Sequence, residues 1–600
     1  MGDLRMNWII CFALSMTLLV TAILFAVIVG MKYKRGRVLT PFKIIFGGMF
    51  ISVFICMLPV FYETMGDSSS RILKAAAYSF HNTLQIFTID ADRGVIDSIC
   101  CSSAALENVY SAYISIAYVV APIMTFGFLV SFFKNAVSFI RYAVRFFRPA
   151  YVFSELNGRS ISLGTDIRKN HKRATIVYTD VFENNEETSF ELAERARELK
   201  AVCFKKGISV VNFGFHFRKA PLVFFAIGED EAENVDQSLA LLERYRDRES
   251  AELYVFSTET SGALILANAD RGKMKLRRVN EVRLLIDRSL YENGRELFLN
   301  AKPIEGGNKK IGAVIVGMGR HGTEMLKALT WYCQMDGYDI TIDAFDKDER
   351  AEERFSALAP ELMSEKLNGV SIPGEAEYTI RIHSGCDVTT KSFADEIEKL
   401  TDATYVFVCL DSDENNTRTA VELRMLFERV GAKPVIRAVV RNPEEKCALD
   451  GVVNFKGRSY DIDFIGDTDS CYSEKVIMNS ELEAEALKLH KRWGAEEEFW
   501  RYEYNYNSSV ASAMHKKVRR ELGVTGADKE ETQLAAEERD IIERLEHRRW
   551  NAYMRSEGYV YSGSNDENSR NDLAKIHHDL VAFSRLSEED KRKDSRVATD

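Results

Sequence analysis

The stretch VIVGMGRHG, residues 314–322, closes a β-rich run and opens a helical one. Its glycines keep a GxGxxG spacing between a strand, Ile311–Val316, and a helix, Thr323–Tyr332, and a second strand, Ile340–Phe345, runs into Asp346. Each part has a physical task. Gly317 permits a tight turn, Gly319 lets the backbone approach a pyrophosphate, and Gly322 allows the helix to pack closely on its strand. The helix N-terminus, which carries Arg320 and His321, then faces the phosphates with unpaired N–H groups. A histidine in such a loop contacts phosphate or solvent more often than it catalyses. Asp346 is placed to accept from a ribose hydroxyl, and its charge would repel a 2′-phosphate. With strand, helix and acid in register, the motif predicts a site for NAD(H) or an adenine nucleotide such as ATP or ADP.

Outward from this motif, short β-rich runs alternate with amphipathic helical stretches, the signature of βαβ units on a parallel sheet. One series has strands at Tyr151–Ser154, Thr175–Thr179, Pro221–Ile227 and Glu252–Ser257. The other has them at Ile311–Val316, Ile340–Phe345, Tyr405–Leu410 and Pro434–Val440. Both run strand, acidic turn (Asp230, Asp413), asparagine (Asn234, Asn415), leucine-rich helix, strand, an internal repeat of about 160–190 residues. Asp411, Asp413 and Asn415 are counted with the nucleotide site. The first series is degraded: its loop SELNGRSISLG holds Gly158 and Gly164 but no glycine triplet.

Length and charge set the frame. A chain of 600 residues holds several domains, and ten cysteines exclude a disulfide scaffold. Residues 1–150 carry 13 Lys and Arg against 7 Asp and Glu, and the remaining 450 carry 66 against 82. So acidic a body argues against nucleic acid as a partner. Residues 8–30, 44–62 and 109–133 hold no charged side chain and are each long enough to cross a bilayer. Lys32, Lys34, Arg35, Arg37 and Lys43 after the first span, and Lys134, Arg141, Arg145 and Arg148 after the third, place those ends in the cytoplasm. The N-terminus is then outside, and the bulk of the chain is inside. Cys100 and Cys101 fall in the outer loop, open to an intersubunit bridge or free thiols. In the same loop, residues 75–89 are uncharged and then meet Asp90 and Asp92. This layout fits a re-entrant pore segment with Thr88, Asp90 and Asp92 near an ion path, or an amphipathic helix on the outer surface.

Two resemblances follow from these motifs. The strand–DxDEN–helix–strand pattern with GMGRHG resembles the nucleotide-binding, regulator-of-conductance (RCK) domains of Trk-type potassium-uptake regulators, over about residues 150–470. That resemblance implies cytosolic Rossmann units that sense NAD or adenine nucleotides, with Arg437 reaching a phosphate. The segment with EHRRW (Glu546, His547, Arg549, Trp550), Gly558-Tyr559, His577-His578 and LSEE (586–589) is similar to a bacterial ryanodine-receptor (RyR) repeat domain. Tyr559 stands where Trp is usual. Such a unit implies a small-ligand pocket from Glu546, His547, Arg549, Trp550, Tyr553, Tyr559 and His577. The alternative for its aromatic residues is a small helical core. The His577-His578 pair lacks further Cys or His at ligand spacing, so no metal is expected.

The sequence thus predicts a multidomain chain. Residues 1–149 form an α-helical transmembrane module, 150–305 a degenerate Rossmann-like α/β unit, 306–470 a second with GxGxxG, 471–527 a helical bridge, and 528–600 a mainly helical end. No HExxH, GxSxG or Walker loop is present, and no acid, base and nucleophile assemble on any segment. The expected protein is a bacterial inner-membrane receptor, a dimer or tetramer, whose bound nucleotide controls ion passage in a potassium-channel-like way. The alternatives are a membrane-disrupting immune effector that reads a signalling nucleotide, a membrane-anchored NAD-dependent enzyme, and the regulatory component of a separate transporter.

Overall fold

The computed structural model describes residues 7–32, 39–65, 70–88, 90, 99, 104–181, 187–364, 366–367, 370–371 and 378–598. Asp92, Cys100 and Cys101 lie outside them. The chain divides into two compact units.

The first unit holds residues 1–147, 177–184 and 201–217. Its described residues include the helices α1 (Trp8–Lys32), α2 (Leu39–Thr64), α3 (Arg71–Thr88) and α4 (Ala104–Ala143). Three of them are long and apolar enough to cross a membrane, over Trp8–Val27, Ile44–Thr64 and Ala104–Phe126. Val53, Cys56 and Met57 of α2 pack with Tyr110, Ile114 and Ala117 of α4. A hydroxyl chain links the helices: Ser15 Oγ lies 2.6 Å from Ser52 Oγ, and Tyr113 Oη 2.5 Å beyond it. The helix of the third span does not stop at its apolar end. It runs on through Pro122 to Ala143, where Tyr142 Oη meets His216 Nδ1 at 2.9 Å and Ser138 Oγ donates to the Cys203 carbonyl at 2.7 Å.

The second unit holds the second sheet, most of the first and the C-terminal helices. The first sheet uses β1 (Ala150–Phe153), β2 (Thr175–Tyr178), β3 (Val202–Cys203), β4 (Leu222–Ala226), β5 (Ala251–Phe256) and β6 (Lys275–Val279) in the order β3-β2-β1-β4-β5-β6. The unit boundary falls within β2, whose last two residues pair with β3 in the first unit. Its helices are α5 (Gly158–Asn170), α6 (Glu187–Glu198), α7 (Glu231–Tyr245), α8 (Thr260–Asn268), α9 (Glu281–Asn293) and α10 (Arg295–Leu299).

The second sheet follows a short antiparallel strand, β7 (Lys302–Pro303), that edges onto β8 (Lys309–Val316). After β9 (Tyr338–Asp346) comes a small hairpin, β10 (Lys366–Leu367) with β11 (Val370–Ser371). Then follow β12 (Tyr378–Ser384), β13 (Tyr405–Val408), β14 (Val435–Val439) and β15 (Ile462–Ile465). The main path runs β12-β9-β8-β13-β14-β15, all parallel. Each sheet thus repeats the strand order 3-2-1-4-5-6 of a doubly wound dinucleotide-binding fold, and ligands of such folds bind where the order reverses, beyond the first and fourth strands. The helices of the second sheet are α11 (Arg320–Tyr332), α12 (Ala351–Leu358), α13 (Lys391–Lys399), α14 (Asp413–Arg429) and α15 (Pro443–Leu449). The interior strands are buried on both faces, as VIV (314–316) and YVFV (405–408) require.

Beyond the sheets, α16 (Thr468–Cys471), α17 (Glu474–Ile477), α18 (Glu481–His490), α19 (Glu496–Arg501), α20 (Glu503–Glu521), α21 (Ala536–Ser556) and α22 (Glu588–Ala598) build a helical layer. Its apolar residues join the core of the second sheet: Val510, Met514, Leu545 and Tyr553 pack in one cluster with Met325, Leu329 and Trp331 of α11.

Candidate functional site

A cavity of about 790 Å³ opens at the reversal point of the second sheet, between the C-terminal ends of β8 and β13. Gly317 sits there at φ +98°, and a Cβ on it would meet the Cys409 carbonyl at 2.7 Å, so only glycine fits the turn. A Cβ on Gly322 would run into the Gly317 carbonyl, which fixes that position as glycine for helix–strand contact. Gly319 is different: nothing lies within 4 Å of the place its Cβ would take. It caps α11 with no side-chain hydrogen bond, so the first N–H groups of that helix point into space that nothing on their own helix fills.

Asp346 lines the cavity, and its carboxylate braces the loop. Oδ2 accepts from the Met318 N–H at 2.6 Å and Oδ1 from the Asp348 N–H at 2.8 Å. Each oxygen keeps a further lone pair for a ribose hydroxyl. Arg320 extends to the first α/β unit, donating to Glu231 Oε1 (3.2 Å), Thr258 Oγ1 (2.9 Å) and Glu259 Oε1 (2.9 Å). His321 lines the cavity, and burial, reinforced by Arg441 and Arg320, takes its imidazole down to about 4. It is therefore neutral at pH 7.

The remaining sequence candidates divide. Asp411 and Asn415 line the cavity and bond each other, Nδ2 to Oδ1 at 2.8 Å, which holds the Asp411 carboxyl below its usual range. Asp413 is not among the lining residues; it accepts from the Arg441 and Asn442 N–H groups at 2.9 Å each and so ties β14 to α14. Arg437 is also no lining residue. Its guanidinium is 2% exposed, donates to Glu296 at 2.7 Å and lies over the Tyr405 ring, so the reach to phosphate expected of it does not occur. Besides Arg320, the cations that face the cavity are Arg159, Arg288, Lys347, Arg418 and Arg441. Lys347 follows the acid that ends β9, and Arg441 lies just past β14, so both had a positional signal. Arg159 and Arg288 come from the facing α/β unit, where the GxGxxG motif gives no signal.

The repeat shifts by one residue. Asn234 takes the Gly228 N–H (2.7 Å) and donates to the carbonyls of Gly228 and Phe256. Its counterpart is Asn416, not Asn415: Asn416 takes the Leu410 N–H (2.5 Å) and donates to the Val439 carbonyl (2.8 Å). Each asparagine buries its amide to tie the ends of the fourth and fifth strands together.

In the first α/β unit the matching helix start is closed. Asn157 caps α5, its side chain accepting from the Ser160 N–H at 2.9 Å and donating to the Ile227 carbonyl at 2.9 Å. Ser160 Oγ returns the bond to the Asn157 N–H, and Arg159 donates to the Gly228 carbonyl and to Glu281.

The C-terminal candidates form a packed interior. Glu546, His547, Arg549, Tyr553 and His577 are buried, while Trp550 and Tyr559 are half-buried. Glu546 bonds Arg549 (2.8 Å) and Ser512 (3.1 Å) and pairs with Arg519. His547 bonds the Val581 carbonyl and pairs with Asp594. The ring of Tyr553 meets Trp331 edge-on. Five of the seven residues expected to form a small-ligand pocket are thus buried against neighbouring groups. His577, His578 and Asp579 bring potential ligand atoms within 4.8 Å of one another. His577 Nδ1, however, accepts from the Asp579 N–H, and burial, then Arg570, takes its imidazole down to about 3. Among the N-terminal helices, Thr88 returns its hydroxyl to the Leu84 carbonyl, and Asp90 is exposed.

No protein-family model matches the chain, and no curated protein matches it. Among solved structures it is similar to a dipicolinate synthase component from Bacillus halodurans. That likeness has 9% identity and a TM-score of 0.17, and covers 54% of this chain and 90% of that one. At that level it says nothing of activity. The class stands on the strand order and the site: a Rossmann-like, nucleotide-binding type of fold joined to apolar N-terminal helices.

Proposed function

We propose that the chain is a membrane-anchored nucleotide receptor, with NAD(H) or an adenine nucleotide seated on the Gly317–Gly322 loop. The observation that carries this is the uncapped start of α11 at the mouth of a cavity that six Arg and Lys side chains line. Phosphate oxygens would take the free N–H groups of the loop, and Lys347 and Arg441 stand ready for their charge.

The cavity's walls favour reporting over reacting. Arg159, Glu231, Thr258, Glu281 and Arg288 come from the first α/β unit and face the glycine loop of the second. A ligand between them touches both units, and its binding energy can change how they meet. Arg320 is the hinge of this argument, because an incoming phosphate competes with Glu231 and Glu259 for the same guanidinium. The output at the membrane is ion passage, as the resemblance to Trk-type regulators implies, through a symmetric dimer or tetramer.

The test has two parts. Titration calorimetry on the detergent-solubilised full chain with NAD⁺, NADH, ATP and ADP reports binding, and Gly319→Asp should remove it. Flux from liposomes that hold the same protein, with and without the bound nucleotide, reports the output. Binding with no ligand-dependent flux would keep the receptor and end the ion-passage reading.

A further inference from the structure

Helix α3 buries three polar side chains and exposes an apolar stripe. Ser79, Asn82 and Thr83 (0%, 4% and 0% exposed), spaced three and four apart on one face, are buried beside Ala75, Ile86 and Phe87. On the other face, Leu73, Phe80 and Leu84 are 74%, 50% and 42% exposed, Ala77 is exposed between them, and His81 and Thr88 are exposed at its margin. A helix lying in water, or flat on a membrane surface, would instead bury Leu73, Phe80 and Leu84 and give Ser79, Asn82 and Thr83 to water. We propose that α3 is embedded in the hydrocarbon layer beside the three apolar spans, with its Leu73–Ala77–Phe80–Leu84 stripe against lipid acyl chains. The proposal rests on those three helices crossing a membrane and is independent of nucleotide binding.

Four observations support lipid as the occupant of that face. The Lys and Arg side chains of α3, Arg71 and Lys74, both fall in its first turn, and beyond them the helix carries one ionisable side chain, His81. Arg71 is anchored at the end of α2, where it donates to the Tyr62 carbonyl at 2.8 Å and lies 4.1 Å over the Tyr62 ring. The stripe continues the apolar surface of α2, where Phe80 meets Phe50 at a ring separation of 5.8 Å. Eighteen residues make a helix of about 27 Å, close to the thickness of the apolar layer.

The test is photocrosslinking of the full chain in phosphatidylcholine–phosphatidylglycerol vesicles. p-Benzoylphenylalanine replaces Phe80 or Leu84 in separate samples. Phe126, 69% exposed at the end of the third apolar span, serves as the lipid-facing control, and Phe455, 93% exposed on a loop of the second unit, as the water-facing one. After irradiation, intact mass should show addition of one phospholipid at positions 80 and 84, in a yield like that at 126 and absent at 455. A chain-to-chain adduct at 80 or 84 would mean that a second copy covers the stripe and would overturn the proposal. So would absence of any adduct there when position 126 gives one.

Discussion

The two α/β units share strand order and the buried asparagine that ties their fourth and fifth strands, Asn234 in one and Asn416 in the other. They part at four residues. Where the first has Asn157, Gly158, Arg159 and Ser160, the second has Gly319, Arg320, His321 and Gly322. In the first, side chains spend the helix's N-terminal donors on the protein itself. In the second, glycine leaves them to whatever enters the cavity. The fold survives in both because the asparagine tie and the buried strands hold it. Binding depends on a few atoms of empty space that the fold does not require.

The sharpest way to break this comparison is to place the same carboxylate at both caps. Gly319→Asp adds a negative charge where a phosphate belongs, in space that holds no other atom, so the chain should still fold. Loss of about 100-fold in nucleotide affinity is expected, roughly 2.7 kcal/mol. Asn157→Asp keeps a capping side chain and should leave affinity unchanged. Calorimetry on both variants decides it: equal losses would mean that the first unit also binds.

How much of this was legible from sequence follows the same line. The four interior strands of each sheet were readable, because burial on both faces writes them as apolar runs such as LVFFA (222–226) and YVFV (405–408). Both edges of both sheets escaped: β3, β6, β12 and β15. Val202–Cys203 is too short to show a period, and the edges KLRRV (275–279) and YTIRIHS (378–384) mix charge with apolar residues because one side faces solvent. At the site, local chemistry was readable and facing chemistry was not. Gly317, Gly322 and Asp346 declare themselves by spacing, whereas Arg159 and Arg288 reach the cavity only through the packing of one α/β unit on the other. Arg437 misled for a related reason: the resemblance to Trk-type regulators implied a reach to phosphate, but Glu296 of α10 takes its charge.

What the units share can be tested as directly as what divides them. Asn234→Ala and Asn416→Ala each leave buried backbone groups without partners, a loss of about 1–3 kcal/mol. Thermal unfolding should show similar decreases for the two. Nucleotide should raise the unfolding temperature of both variants, since its cavity is lined by both α/β units and a ligand of the folded chain stabilises it by mass action. No rise in either variant would mean that nucleotide does not bind the folded chain.

A smaller effect is expected at the contact between the α/β units. Glu231 and Glu259 hold Arg320 from across the cavity. The charge-neutral pair Glu231→Gln with Glu259→Gln should free that guanidinium for phosphate and raise affinity about three- to tenfold, or 0.7–1.4 kcal/mol. A fall in affinity would mean that the pair presents Arg320 in its binding position and does not compete for it.

The smallest effect is a pH dependence that only the second α/β unit can supply. Its second helical residue is His321, while the same place in the first is Arg159, which keeps its charge throughout. In the folded chain His321 titrates near 4; unfolded, its ordinary value is 6.5. Between those values the unfolded chain holds the proton and the folded one does not, so stability is full above 6.5 and declines as pH falls toward 4. A bound phosphate reverses part of this, because its negative charge favours the imidazolium. Binding should therefore take up a fraction of a proton in that window, and affinity should rise about two- to threefold from pH 6.5 to about pH 5.5, the size such partial uptake gives. His321→Gln should flatten the profile without abolishing binding. An unchanged slope in that variant would place the titrating group elsewhere on the cavity wall, and the difference between the two helix starts would then rest on Gly319 and Gly322.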